Sequence, residues 1–61
     1  MQDTTLTDLI RQKYQAVLLD LDERGIRRWA AAEAIWIGWG GVTAVAKATG
    51  IADRTIRNGI A

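Results

Sequence analysis

The 61-residue sequence contains no cysteine, no histidine and no proline. Without cysteine, no disulfide can staple the chain. A structural zinc site would have to be built from carboxylates alone, which is not how small zinc domains are made. The lack of cysteine also fits a cytoplasmic protein. Nucleophilic and general acid–base chemistry has no histidine, cysteine or converging acid pair to use, and so short a chain forms no deep pocket. No enzyme activity, no cofactor, no metal and no small-molecule substrate are therefore expected. Long apolar runs are also missing. The most apolar stretch, Trp29 to Val45, is broken by Glu33 and falls short of the ~18 apolar residues of a membrane span. The N-terminus has Asp3 where a signal peptide would carry a basic residue, so no targeting segment and no membrane partner are expected.

Charge is present but divided. The formal net charge is only +1. Residues 1–23 hold Asp3, Asp8, Asp20, Asp22 and Glu23 against Arg11 and Lys13. Residues 24–61 hold Arg24, Arg27, Arg28, Lys47, Arg54 and Arg57 against Glu33 and Asp53. An acidic front and a basic back are consistent with a back half that meets a polyanion. The plainer reading is two ordinary solvated faces, and charge alone favours it.

The periodicity is helical. Leu6, Leu9, Ile10, Tyr14, Val17, Leu18 and Leu21 recur at spacings of three and four, which predicts a first helix over Thr7–Leu21. Thr5 followed by Asp8 is a weak cap candidate for it. Asp22 is a better cap, for a second helix whose inward stripe is Ile26, Trp29, Ala30, Glu33, Trp36 and Ile37. Trp29 and Trp36 are expected in the core, with Trp39 as a partly exposed lid. Gly38 is the expected left-handed terminator, and Gly38 to Gly41 the following turn. That turn lacks the Lys-Ser/Thr of a phosphate loop. Asp20, Asp22 and Glu23 read as helix-end and cap residues rather than metal ligands.

A third helix is expected over Val42–Thr49 with Val45 and Ala46 inward, and a fourth from Ala52 or Asp53 to the chain end. The expected fold class is all-α, a small four-helix domain. Residues 1–21 form an acidic helix, 22–38 a Trp- and Ala-rich helix, and 41–61 a helix-turn-helix. A helix-turn-helix needs a small residue where its helices cross, a residue tolerating positive φ at the turn, an apolar seal and an inward branched residue. Ala46, Gly50, Ile51 and Ile56 supply these in order, with Ile60 inward four residues on.

The outward residues of the fourth helix suit double-stranded DNA. Arg57 can fork onto the O6 and N7 of guanine, and Asn58 can pair with adenine. Arg54 and Thr55, near the helix start, are placed for phosphate. Thr43 and Lys47 can also reach the backbone. For the arginines the plainer reading is a solvated charge, paired with Asp53. For Asn58 it is an Asn-Gly helix end, with fraying at the terminus. A second partner class is another copy of this chain, joined through the N-terminal helix and the tryptophans.

From Tyr14 onward the chain resembles the N-terminal region of the ISAzo13-type transposases, a family with a DDE catalytic domain. The residues that carry the resemblance begin with Lys13-Tyr14, Leu21-Asp22-Glu23-Arg24 and Arg28-Trp29-Ala30-Ala31-Ala32-Glu33-Ala34. They continue with Gly40 to Ile51 and Thr55-Ile56-Arg57. The resemblance implies recognition of transposon-end DNA. It implies no catalysis, since the family's catalytic domain would follow Ala61. Two features depart from it. Ala52 stands where a capping serine is usual, which would cost about 1 kcal/mol. Trp36 and Trp39 stand where smaller or more polar residues are expected.

Overall fold

Four helices follow one another: α1 (Thr4–Val17), α2 (Glu23–Ile37), α3 (Gly41–Thr49) and α4 (Asp53–Ile60). The computed structural model describes residues 4–60. Asp3 and Ala61, which entered the charge division and the C-terminal unit above, lie outside the described residues. Among the described residues there is no strand, and the domain is all-α. None of its helices is long and apolar enough to cross a membrane.

Helix α1 starts and stops earlier than its apolar stripe predicts. Thr5 lies inside the helix and does not cap it. After Val17 the backbone tightens, with Leu19 N–H donating to Ala16 O at 3.4 Å and Asp20 N–H to Val17 O at 3.0 Å. The cause lies downstream. Asp22 must be extended (φ −79°, ψ −177°) to cap α2, and its carboxylate accepts from Gly25 N–H at 2.8 Å. Helix cannot run into an extended cap, so Leu18 and Leu21, expected on the buried stripe, are left exposed.

The turn from α2 to α3 is set by glycine. Gly38 has φ 82° and ψ −126°, a region that L side chains avoid. It ends α2 with its N–H on Ala34 O at 3.0 Å, but not in the left-handed helical conformation expected of it. Gly41 is not part of the turn. It is the first residue of α3 and is buried against α2. A Cβ there would overlap the Ala34 carbonyl oxygen and lie 3.0 Å from the Ala34 carbonyl carbon.

The core gathers Ile10 of α1, Ala30 and Ala34 of α2, Val45 and Ala48 of α3, and Ile56 of α4. Helix α3 touches all three others, while α2 also lies against α4. The small residues allow these approaches, since alanine brings helix axes close without a void. Ala46 and Ile51 are half-buried at the edge of this core. Ile60, expected inward, is 39% exposed. Trp29 stacks on Tyr14, with ring centroids 5.8 Å apart and planes at 23°. Lys13 reaches Glu33 at 3.2 Å, tying α1 to α2 on the same side. Trp36, expected beside Trp29 in the core, is 84% exposed, and Trp39 is fully exposed. Seven residues of helix leave a side chain about 20° short of its starting direction. Here α1 covers Trp29 and leaves Trp36 uncovered.

Candidate nucleic-acid interface

The connection between α3 and α4 is three residues long, Gly50 to Ala52. Gly50 adopts φ 80° and ψ 0°, and its N–H bonds Ala46 O at 2.8 Å. This left-handed step turns the chain away from α3 without a steric penalty. Thr49 locks it from both sides. Its hydroxyl donates to Val45 O at 2.8 Å and accepts from Ile51 N–H at 3.1 Å. Ala52 offers no side-chain oxygen to α4, and its carbonyl accepts Ile56 N–H at 3.1 Å.

Helix α4 is fixed by its one buried residue, Ile56. Its far end lies close to α2. A Cβ on Gly59 would be 3.0 Å from Ala31 Cβ and 3.4 Å from Arg27 O. Asn58-Gly59 therefore does not terminate the helix, which continues to Ile60. The glycine marks a close helix crossing instead.

With Ile56 turned inward and Gly59 set against α2, Arg54, Arg57 and Asn58 share the exposed face, at spacings of three and four. Thr55 is half-buried on the flank. The six residues singled out from the sequence thus fall into three places. Arg57 lines a groove together with Thr43 and Lys47 of α3 and with Trp39. Thr55 and Asn58 line a second groove on the opposite flank. Arg54 stands on the crest of α4 between Arg57 and Asn58.

The second groove contains what sequence reasoning missed. Its other wall is Arg24, Arg27 and Arg28 of α2. Arg24, Arg27 and Arg28 lie on α2, with the whole of α3 between them and α4 in sequence, and no local pattern connects them. The only sequence signals were the basic back half and the glycine at position 59.

Ion pairing distinguishes the cations. Arg11 pairs with Asp8 at 3.2 Å, Lys13 with Glu33 at 3.2 Å and Arg27 with Glu23 at 2.9 Å. Among the described residues, Arg24, Arg28, Lys47, Arg54 and Arg57 form no ion pair. Asp53, in the first turn of α4, pairs with neither Arg54 nor Arg57. The uncommitted positive charge is therefore concentrated on α4 and the two flanks beside it. Such an arrangement can neutralise a polyanion without first breaking internal pairs. Comparison with protein-family models, with curated proteins and with solved structures returns no match to this chain.

Proposed function

We propose that this chain is a helix-turn-helix DNA-binding domain in which α3 and α4 form the reading unit and α4 enters the major groove of a duplex. The observation that carries the reading is the unpaired set Lys47, Arg54 and Arg57, held on two short helices joined by a three-residue turn. On this reading Arg57 and Asn58 address base edges, and Arg54, Thr55, Thr43 and Lys47 address phosphates. The DNA it recognises is a transposon end, the role implied by the resemblance over residues 13–57, and its setting is cytoplasmic. One unit with few basic residues binds weakly, so tight binding needs a second unit at a neighbouring half-site.

The test is Arg54→Ala/Arg57→Ala with duplex affinity measured at two salt concentrations. The wild type should lose affinity steeply with salt. The double variant should bind at least about tenfold more weakly and show a log–log salt slope shallower by about 1, from the phosphate contact of Arg54. A wild type with no salt-sensitive affinity for any duplex would rule the proposal out.

A second reading is favoured by exposed apolar surface. Ile35, Trp36 and Trp39 at the end of α2, with Leu9, Leu18 and Leu19 on and after α1, are all open to solvent. Exposed tryptophans suit a contact between copies of the chain. Sedimentation distinguishes it. Self-association that persists in high salt, and that is lost in Trp36→Ala/Trp39→Ala, is the outcome expected of an oligomerisation module. A strict monomer at high concentration removes this reading.

A further inference from the structure

We propose that Arg24 and Arg28 of α2 form a second phosphate clamp, so that α4 is gripped from both flanks by the two backbones bordering one major groove. This rests on the DNA-binding reading above and extends it to a helix outside the α3–α4 unit.

The proposal starts from packing. Gly59 lets α4 approach α2 near Arg27 and Ala31, which brings the first half of α2 alongside the exposed face of α4. Arg24, Arg27 and Arg28 then line one groove with Thr55 and Asn58. Arg24 and Arg28 are four residues apart, hence on one side of α2, and both are exposed. Arg27 differs, because its guanidinium is already held by Glu23 at 2.9 Å.

The opposite flank of α4 carries Thr43, Lys47 and Arg57. Cationic or hydroxyl-bearing walls thus stand on both sides of the same exposed helix. A helix in the major groove, about 12 Å wide, has a sugar–phosphate backbone on each side. The α3 wall meets one strand and the α2 wall meets the other. Arg24 and Arg28 lie off the crest of α4, so they touch phosphates and carry no base preference of their own.

The experiment uses the full chain and two synthetic duplexes of unrelated sequence, with affinity measured between about 50 and 200 mM salt. Arg24→Gln/Arg28→Gln removes two charges and keeps helix-forming side chains. It should reduce the salt slope by about 1.8, the value for two phosphate contacts. It should also weaken binding by a similar factor on both duplexes. Arg24→Lys/Arg28→Lys, which keeps the charges, should retain the wild-type slope. Circular dichroism of each variant establishes that the fold is intact. A salt-sensitive wild type with an unchanged slope in the Gln variant overturns the clamp and leaves the DNA-binding reading standing. A loss confined to one duplex also overturns it, because it reports a base contact. A wild type without salt-sensitive binding removes the DNA-binding reading and the clamp with it.

Discussion

Gly41→Ala should lower the thermal midpoint by roughly 8–16 °C, measured by circular dichroism. On local grounds the substitution should help. Gly41 is the first residue of α3 and its φ is not positive, so alanine meets no backbone strain there. Alanine is also the better helix former by about 1 kcal/mol. Packing reverses the sign. The added methyl would overlap the Ala34 carbonyl oxygen and crowd the Ala34 Cα at 3.1 Å. Those are backbone atoms inside α2, and no rotamer change can move them aside. Overpacking of this kind costs about 3 kcal/mol, which leaves about 2 kcal/mol net of the propensity gain. A domain of this size has roughly 3–9 kcal/mol in total, and each kcal/mol moves its midpoint by about 4–8 °C. A midpoint within a few degrees of wild type would show that α3 and α2 are not in contact at Gly41.

The same position shows what sequence reasoning could and could not reach. The elements were legible because their signals are local. Asp22 before Glu23 specifies a cap, and the structure has that cap. Gly50 between two apolar periods specifies a left-handed step, and the structure has that too. The all-α class follows from periodicity alone. What escaped is the pairing of helices distant in sequence. Gly38, Gly41 and Gly59 are the same letter with different roles. Gly38 has positive φ, Gly41 seats α3 on α2, and Gly59 seats α4 on α2. Periodicity also places Trp29 and Trp36 on one stripe, yet only Trp29 finds Tyr14 to cover it.

The candidate interface divides in the same way. Arg54, Arg57 and Asn58 were legible as one face because helical spacing places them there. Thr55, read as outward with them, is instead half-buried on the flank. The α2 arginines were not legible, since their position beside α4 depends on the close crossing of α2 and α4 at Gly59, a pairing of helices distant in sequence. A basic back half in the sequence becomes a located surface only once α2 and α4 are packed together.

Ile56→Ala should abolish cooperative folding or lower the midpoint by roughly 12–32 °C, and it should remove duplex binding although every cation on α4 remains. Ile56 is fully buried and is the only buried residue of its helix. Truncating a buried isoleucine costs about 3–4 kcal/mol, and each kcal/mol is worth about 4–8 °C here. Helix α4 has eight residues, below the ~12–15 at which an isolated helix is even marginal in water. With no side-chain oxygen at Ala52 to cap it, α4 holds its shape through Ile56 and the contact at Gly59. Losing the anchor therefore releases the scaffold of Arg54, Arg57 and Asn58 together. Ile56→Val removes one methylene, costs about 1 kcal/mol and should leave binding near wild type. Thermal melts of the two variants, with and without duplex, separate packing from contact. On the DNA-binding proposal, duplex should raise the midpoint of the Val variant as it does the wild type's, because a ligand of the native state stabilises it by mass action. It should restore little in the Ala variant, whose folded population is small. An Ala variant that melts like wild type would mean that Ile56 does not anchor α4, and the placement of its cationic face would fall with it.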